Sequence, residues 1–326
     1  MLNISVHIES WEFKQPFRIT GQEWTSSDSV VIKISDGVHC GIGEAQGVFY
    51  CDESAASIVK QINGVADELR QGITRQSLLE LLPSGGARNA IDCALWDLEC
   101  KQSGKTIWEL TNIDPKPVTT VYTIGIEDTP EAMAKKAAAA AEYPILKIKL
   151  DGYQPLERLQ AIRQARPDAK LVVDANQGWS FEQLKSLIPP CIKLNLEMIE
   201  QPLARGQDEQ LKGFVSPIIL AADESCLDTS ELAALDGRYS MINIKLDKTG
   251  GLTEALNLAK AAKEKGYKLM VGNMCGTSLS MAPSFVIAQL CDFVDIDGPL
   301  LLNYDHPDGL KYESGRVSCF SPSFWG

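Results

Sequence analysis

Two lysines and three carboxylates, each at the end of an apolar run, could together carry out acid–base chemistry. The run 145–150 holds Lys147 and Lys149, which are two residues apart and therefore point to one face of a strand. Each of four later apolar runs ends in a charged residue: Asp174, Glu200, Asp223 and Lys245. From Lys149 onward the charges recur every 22 to 26 residues, which is the length of one strand, one helix and two loops.

Asp174, Glu200 and Asp223 predict a site for a hard divalent cation. They end three successive strands, and no histidine or cysteine stands beside them. Mg²⁺ is bound by oxygen ligands of this kind, and the bound ion could stabilise negative charge on a substrate carboxylate. The alternative is that these acids pair with the lysines or cap helices. Three carboxylates at the same spacing favour the metal site.

Lys149 and Lys245 predict a proton donor and a proton acceptor that face each other across a pocket. A lysine that removes a proton near pH 7 needs a pKa lowered from about 10.4 to about 7 or 8. Repulsion from Lys147 and from a divalent ion would lower the pKa in this direction. One alternative is that either lysine forms a Schiff base, as in barrel aldolases.

Short apolar runs and helical windows alternate from residue 118 onward, which is typical of parallel strands buried on both faces. The predicted strands are 121–126, 145–150, 171–174, 196–199, 218–222, 241–246, 269–273 and 293–297. Eight such strands imply a barrel whose active site lies at their carboxyl ends, where the charges are. The helical pattern stops after the last strand. The predicted fold is therefore α/β, a modified TIM-type (β/α)7β barrel.

The first part of the chain predicts an α+β unit, with strands at 3–14 and 29–35 ahead of helices at 53–70 and 87–103. The segment 15–27 contains Pro, Gly and Ser without clear periodicity and is predicted to be a loop. A second loop at 47–52 carries Phe49 and Tyr50, which either pack in the core or line a pocket.

We expect the chain to divide into three parts. Residues 1–115 form a capping domain, residues 116–302 form the barrel, and residues 303–326 return to the capping domain and close it over the barrel mouth. The strand-like segment 311–319 lies in this tail.

The composition excludes several classes of partner and site. A net charge of −12 argues against nucleic acid and against an anionic membrane surface. No apolar run reaches the roughly 18 residues of a membrane span, and the start lacks a secretion signal, so a cytoplasmic protein is expected. The nine cysteines form no close pair and are expected to be reduced thiols, while none of the three histidines lies at a predicted strand end.

Jointly, these motifs resemble the enolase superfamily, in its muconate lactonizing subgroup, and the resemblance covers nearly the whole chain. The residues that carry it are Lys147-Ile148-Lys149, Asp174-Ala175-Asn176, Ile199-Glu200-Gln201-Pro202, Ala222-Asp223-Glu224-Ser225, the stretch from Asn243 through Lys245 to Gly251, and Ala94-Leu95-Trp96-Asp97. Members of this superfamily use a lysine or histidine base, with magnesium stabilising an ene-diolate. The resemblance implies the same chemistry here.

Asp295 and Asp297 resemble the Asp-x-Asp signature of dipeptide epimerases. They share one face of the last predicted strand, as an ammonium-binding pair must. The alternative is a strand-end turn with two solvated acids. The resemblance further implies that Thr123 and Lys147 contact substrate, and it places Asn273 where the epimerases commonly have cysteine.

The implied activity is a Mg²⁺-dependent 1,1-proton transfer by two lysines that inverts the C-terminal residue of an L,L-dipeptide. An N-acylamino acid racemase, an o-succinylbenzoate synthase or a muconate cycloisomerase would use the same lysines and metal without needing Asp295 and Asp297. A non-catalytic binding protein on the same fold is a further alternative. A homo-oligomer is compatible with the sequence.

The first predicted loop bears on the choice of dipeptide. Arg18 is the only arginine there, and it is either a ligand for the substrate's side-chain carboxylate or a structural residue. Glu23 would repel an acidic side chain if it faced the pocket. Trp24, with Phe49 or Tyr50, offers apolar surface. We therefore expect hydrophobic or mixed dipeptides to be preferred over L-Ala-L-Glu.

Overall fold

An antiparallel sheet with helices on one side forms the first part of the chain in the computed structural model, which describes residues 1–326. The strands, in sheet order, are β1 (Asn3–Ile19), β2 (Gln22–Ser35) and β3 (Cys40–Gln46). The helices are α1 (Ala55–Gly64), α2 (Ala66–Gln71), α3 (Arg75–Leu81), α4 (Gly86–Ser103) and α5 (Ile107–Thr111). Buried side chains of β2, β3 and the helices form a separate core of 16 residues.

The segment 15–27 forms the end of a long hairpin, so the prediction of a loop there is wrong. β1 continues to Ile19 and β2 begins at Gln22, which leaves a two-residue turn. Pairing is interrupted between Glu12 and Phe17 and resumes where Phe17 lies opposite Trp24. The interruption disturbs the alternation of side chains, and this is why the sequence lacks a strand pattern at this position.

The predicted eight-stranded barrel is confirmed. A two-residue strand, β4 (Val118–Thr119), precedes it. The barrel strands are β5 (Tyr122–Ile124), β6 (Ile145–Lys149), β7 (Lys170–Asp174), β8 (Leu196–Glu200), β9 (Ile219–Ala222), β10 (Met241–Ile244), β11 (Lys268–Val271) and β12 (Phe293–Val294). Neighbours in the chain are neighbours in the parallel sheet. The amide of Val121 donates to the carbonyl of Val294 at 2.9 Å, which brings the first and last strands together.

Helices connect most of the barrel strands. They are α6 (Pro130–Ala139), α7 (Pro155–Ala165), α8 (Phe181–Lys193), α9 (Leu246–Thr249), α10 (Leu252–Glu264), α11 (Ser278–Ala288) and α12 (Gly298–Leu301). Short 3-10 helices at Asp208–Leu211 and Thr229–Leu235 complete the connections of the barrel, and a third at Phe49–Cys51 follows β3 in the first unit. Only the four-residue α12 follows the last barrel strand, in agreement with the predicted (β/α)7β arrangement.

Side chains of the barrel strands alternate between two cores, because successive residues of a strand point to opposite faces. The outward residues pack against the helices in a core of 57 residues. The inward residues nearer the amino ends fill the barrel: Val121, Val172, Met198, Ala221, Met241 and Met270. Charged residues take the inward positions at the carboxyl ends, which places them around one opening.

The C-terminal tail contacts the first part of the chain, but its strands do not cover the barrel mouth. β13 (Tyr312–Glu313) and β14 (Arg316–Val317) pair with each other and with β4. Since β4 precedes the first barrel strand, this small sheet lies at the amino ends of the barrel. The amide of Gly326 then donates to Asp97 of α4 at 2.9 Å. The strands of the tail therefore lie away from the mouth, whereas its first residues return to the capping unit, where the amide of Asn303 donates to the carbonyl of Glu12 at 2.8 Å.

The first hairpin covers the mouth instead. The hydroxyl of Thr20 donates to the carbonyl of Ala175 at 2.9 Å, and the amide of Ile126 donates to the carbonyl of Arg18 at 2.8 Å. Ala175 follows β7 and Ile126 follows β5, so the hairpin turn is fastened to two strand ends. We propose the division into 1–115, 116–302 and 303–326 on the basis of these separate cores and contacts.

None of the helices combines the length and the apolar composition needed to cross a lipid bilayer. All nine cysteines are unpaired, as expected for reduced thiols.

Candidate active site

Three carboxylates converge at the carboxyl ends of adjacent barrel strands. Asp174 on β7 lies opposite Glu200 on β8, and Asp223 follows β9 immediately. Their ligand oxygens lie within 4.8 Å of one another, and all three side chains are completely buried. The structure thus brings together the three acids that the sequence predicts as metal ligands.

The predicted lysines point into the same group of carboxylates. Lys149 Nζ lies 2.6 Å from Asp174 Oδ2, and Lys245 Nζ lies 2.6 Å from Asp223 Oδ2. β6 and β10 are separated by three strands of the eight-stranded sheet, so the two ammonium groups approach from opposite sides. The structure therefore provides the facing pair that proton transfer on two faces of one carbon requires.

Lys147 lies at the centre of the carboxylates. Its Nζ lies 2.7 Å from Asp295 Oδ2, 2.9 Å from Glu200 Oε2 and 3.1 Å from Asp174 Oδ2. Burial alone would lower the pKa of Lys147, but the surrounding carboxylates, Asp295 foremost, outweigh burial and raise it well above its usual value. The positive charge of Lys147 is thus compensated by three carboxylates within the site. Contrary to the expectation from the sequence, Lys147 therefore does not act on Lys149 as an isolated positive charge.

The ion pairs also decide the protonation of the carboxylates. Burial would raise the pKa of Asp174, but the ammonium groups of Lys149 and Lys147 outweigh burial and hold it at about 2. Glu200 differs because burial and the charge of Asp174 together raise its pKa to about 7. Glu200 Oε2 accepts no hydrogen bond of normal geometry although it is buried, even with Lys147 nearby. Its ion-pair partner is the ammonium of Lys147, whose place a metal ion could take.

The pKa of Lys245 is raised, contrary to the expectation for a catalytic lysine. Burial would lower it, but the carboxylate of Asp223 outweighs burial. The pKa of Asp223 is held well below its usual range, since Lys245 and Lys248 outweigh the effect of burial there as well. A lysine paired with a carboxylate in this way stays protonated. It can act as a base only when another cation binds that carboxylate in its place, because the pKa of the lysine then falls.

Sequence reasoning missed two residues that contact the carboxylates. Asn243 Nδ2 donates to Glu200 Oε1 at 2.6 Å, and Lys248 Nζ donates to Asp223 Oδ1 at 2.7 Å. Asn243 lies two residues before Lys245, so the alternation of strand side chains could have placed it in the barrel. Lys248 lies on α9, after the strand, and no strand pattern indicates it.

The two aspartates that follow β12 are buried, and Asp295 contacts Lys147. Asp297 Oδ2 accepts a hydrogen bond from the amide of Thr123 at 2.7 Å. Asn273 Nδ2 donates to Asp295 Oδ1 at 3.0 Å and lies 3.5 Å from Asp297 Oδ1. Burial and the neighbouring charge of Asp295 raise the pKa of Asp297 to about 8. Asn273 thus bridges the two aspartates, and Thr123 is hydrogen-bonded to Asp297 through its main-chain amide.

A cavity of about 350 Å³ gives access to this group. Lys149, Lys245 and Asn273 line its barrel side, and Trp24 and Phe49 belong to the opposite wall. The rings of Trp24 and Phe49 contact each other edge to face, with their centroids 5.2 Å apart. The aromatic residues of the two predicted loops therefore line a pocket, the second of the two alternatives left open by the sequence.

The structure does not bring Arg18 into the cavity. Its guanidinium donates to Glu23 and Asp128, each at 2.7 Å, and its side chain is 40% exposed. Neither Arg18 nor Glu23 lines the cavity. Arg18 and Glu23 pair with each other at the surface, which corresponds to the structural alternative for Arg18, and its contact with a substrate stays a prediction.

Comparison with known proteins places the two parts of the chain in one family. Residues 1–111 match the family model of the N-terminal domain of mandelate racemase / muconate lactonizing enzyme. Residues 131–319 match the family model described as enolase C-terminal domain-like.

Individual relatives cover nearly the whole chain. An N-acetyl-D-glutamate racemase from Pseudoalteromonas sp. is 40% identical, with 91% of this chain and 95% of the relative covered. The L-Ala-D/L-Glu epimerase of Escherichia coli K12 is also 40% identical, over 97% of this chain and 99% of its own.

Solved structures of proteins from the same family superpose closely on this chain. An enolase family member from Agrobacterium tumefaciens with homology to dipeptide epimerases, holding sodium and L-Ala-L-Glu, superposes with a TM-score of 0.97 at 42% identity over 100% of both chains. A dipeptide epimerase from Enterococcus faecalis, complexed with Mg and L-Leu-L-Tyr, gives a TM-score of 0.90 at 27% identity, over 97% of this chain and 96% of its own. With three buried carboxylates between two lysines at the mouth of a capped barrel, this chain belongs to the enolase superfamily, in the mandelate racemase / muconate lactonizing enzyme family.

Proposed function

We propose that this protein is a Mg²⁺-dependent epimerase that inverts the α-carbon of the C-terminal residue of an L,L-dipeptide to give the L,D form. The observation that carries the proposal is the placement of Lys149 and Lys245 on opposite strands with three carboxylates between them. An enzyme that inverts a carbon needs one group on each of its two faces. Relatives and solved structures of the same family are named as dipeptide epimerases.

Asp174, Glu200 and Asp223 fit magnesium. The set contains only oxygen ligands, and the buried Glu200 Oε2 accepts no hydrogen bond of normal geometry, its ion-pair partner being the Lys147 ammonium at 2.9 Å. The Enterococcus faecalis relative holds Mg with its dipeptide. When bound, the ion would supply positive charge beside a substrate carboxylate, which stabilises the enediolate.

The lysines carry the proton. The Nζ of one lysine takes the α-proton from the substrate, and the Nζ of the other gives a proton to the opposite face of the same carbon. Lys147, whose ammonium is held by three carboxylates, contributes fixed positive charge next to the substrate carboxylate.

Asp295 and Asp297 bind the ammonium of the dipeptide. Both are buried, Asp295 contacts Lys147, and the pKa of Asp297 is raised by burial and by Asp295, so a cation placed between them would be strongly favoured. The cavity offers Trp24 and Phe49 to the side chain of the second residue, and its only cationic lining residues are Lys149 and Lys245. We therefore propose a hydrophobic or mixed dipeptide as the preferred substrate.

An N-acylamino acid racemase is the second candidate. The Pseudoalteromonas relative is named as an N-acetyl-D-glutamate racemase. In addition, Asp295 already accepts hydrogen bonds from Lys147 and Asn273, which leaves it less capacity for a substrate ammonium. The same two-lysine chemistry would then act on a substrate whose nitrogen is acylated.

The test is incubation of the purified protein with Mg²⁺ in deuterated water. L,L-dipeptide libraries are compared with N-acetyl-L-amino acids, and mass spectrometry reads α-deuterium. The dipeptide proposal predicts deuterium in both stereoisomers of the second residue, lost when both aspartates are replaced in D295N/D297N. Retention in that variant together with exchange of N-acetyl substrates supports the racemase. No exchange with either class of substrate would refute both proposals.

A cytoplasmic location stays a prediction, to be tested by cell fractionation.

A further inference from the structure

One oxygen of each candidate metal ligand is already held by a donor of the protein. Asp174 Oδ1 accepts a hydrogen bond from the main-chain amide of Asn176 at 2.9 Å. Glu200 Oε1 accepts one from Asn243 Nδ2 at 2.6 Å. In both cases the donor is fixed, by the backbone in the first and by a completely buried side chain in the second.

Asp223 follows the same pattern with a charged donor. Its Oδ1 lies 2.7 Å from Lys248 Nζ. The same ammonium donates to the carbonyl of Asp223 at 2.6 Å and to the carbonyl of Asn243 at 2.8 Å. Since an ammonium has three donors, all of them are used, and the side chain of Lys248 is completely buried. Lys248 is therefore locked onto Asp223 from the side away from Lys245.

The second oxygen of each carboxylate faces the lysines instead. Asp174 Oδ2 contacts Lys149, Asp223 Oδ2 contacts Lys245, and Glu200 Oε2 lies 2.9 Å from Lys147 without a hydrogen bond of normal geometry. Three oxygens, one from each side chain, are thus directed to a common centre. The other three are turned away and occupied.

We infer that the amide of Asn176, the side chain of Asn243 and Lys248 act as a clamp that limits each carboxylate to one ligand oxygen and so makes the site select a small octahedral cation over Ca²⁺. This inference rests on the proposed divalent-cation site. Mg²⁺ needs six ligands in near-octahedral geometry and keeps bound waters, whereas Ca²⁺ takes six to eight oxygens and often uses both oxygens of a carboxylate. A carboxylate whose second oxygen is held by a fixed donor is hindered from turning that oxygen toward the ion. Asn243 and Lys248 are positioning residues in this scheme.

Gly272 keeps the space that the clamp needs. It lies beside the end of β10, and a Cβ at this position would come within 2.7 Å of Asn243 Nδ2 and within 2.9 Å of Lys245 Cε. No other residue fits there without displacing both side chains.

The experiment measures the Kd of Mg²⁺ and of Ca²⁺ separately by isothermal titration calorimetry on the full chain. The variants are Asn243→Leu and Lys248→Met. Lys101→Met is the matched control, because Lys101 also donates to a buried aspartate, Asp97 at 2.7 Å, in the capping unit. Loss of an outer donor commonly changes metal affinity by about 10- to 100-fold. We expect the Mg²⁺-over-Ca²⁺ preference to fall by at least about tenfold in both variants and to stay unchanged in the control.

The ratio of the Mg²⁺ affinity to the Ca²⁺ affinity separates the effect of the clamp from the effect of charge. Removing the positive charge of Lys248 strengthens the attraction for either divalent cation alike, but only Ca²⁺ gains from a freed second oxygen. Variants with normal circular dichroism and an unchanged ratio would overturn the inference.

Crystal structures of the unaltered protein with each cation provide a second test, because they show which carboxylate oxygens bind the ion. This test is valid even if the variants fail to fold. Ligation by Asp174 Oδ2, Glu200 Oε2 and Asp223 Oδ2 alone supports the clamp, and a bidentate carboxylate contradicts it. Absence of divalent-cation binding in the unaltered protein would refute the metal site of the proposed function itself. A shifted ratio without epimerisation would leave the clamp standing and refute only the proposed reaction.

Discussion

Lys245 Nζ lies 2.6 Å from Asp223 Oδ2, so a candidate catalytic base is hydrogen-bonded to a candidate metal ligand. Lys149 stands in the same relation to Asp174 on the opposite side. A cation that binds the three carboxylates competes with both lysines for the same oxygens. Metal binding and the availability of the two bases are therefore coupled by geometry.

Replacing either lysine tests the two-base assignment. Lys149→Ala and Lys245→Ala should each lower epimerisation by at least about 10²-fold, since general acid–base groups contribute 10²- to 10⁴-fold. One variant should still exchange the α-proton of a single stereoisomer, because each lysine serves one face of the carbon. Proton NMR in deuterated water follows both stereoisomers. Turnover at the unaltered rate in either variant would contradict the assignment.

Gly272→Ala should disturb the site without touching substrate. The added methyl group would meet Asn243 and Lys245 at distances below 3 Å, so both side chains must move. We expect a lower kcat and weaker Mg²⁺ binding in the same variant. Gly64→Ala is the matched control, because a Cβ at Gly64 has no neighbour within 4 Å. Equal behaviour of the two variants would show that the close approach at Gly272 has no role.

Trp24→Ala and Arg18→Ala should separate the two candidate contacts for the substrate side chain. Trp24 lines the cavity, and loss of its apolar surface, at about 25 cal/mol per Å² buried, should raise KM for a dipeptide with an apolar second residue. Arg18→Ala should leave KM unchanged, since Arg18 pairs with Glu23 and Asp128. A dominant L-Ala-L-Glu activity that Arg18→Ala abolishes would reverse this assignment.

Asp247 makes the stability of the protein depend on pH. It is buried, accepts hydrogen bonds from the amide of Gln46 and from Asn89, and burial raises its pKa from 3.8 to about 7. Because the folded-state pKa is the higher one, the folded state binds the proton more tightly. This contribution to stability is greatest below about pH 4 and is lost as the pH rises from about 4 to about 7.

Asp247→Asn keeps the hydrogen-bond acceptor and removes the charge. Relative to the unaltered protein, the gain in the free energy of unfolding of this variant should be about 2 kcal/mol larger at pH 8 than at pH 5.5. Urea unfolding at the two pH values measures the difference. An identical gain at both would mean that Asp247 does not titrate in this range.

The charged strand ends could be read from the sequence because they depend on local patterns. Strand alternation places Lys147 and Lys149 on one face wherever the strand lies, and the spacing to Asp174 reflects one strand and one helix. The order of strands in a parallel barrel follows from short right-handed connections. The eight strands and the convergence of the three carboxylates needed no knowledge of contacts distant in the sequence.

The hairpin end at 15–27 and the partner of Arg18 could not be read in this way. The irregular pairing between Glu12 and Phe17 removes the alternation on which strand prediction depends. Asp128 lies 110 residues from Arg18, and only the docking of the hairpin onto the barrel brings the two side chains together.

By itself, the sequence determined the barrel, the charged residues at the ends of its strands and the residue types available for a metal and two bases. These features depend on periodicity along one chain segment. Only the tertiary structure decided which oxygen of each carboxylate is free. That choice depends on the directions of Asn243 and Lys248, on the space left by Gly272 and on hydrogen-bond distances between side chains from different strands. Such contacts are fixed by register and packing, which local patterns do not encode.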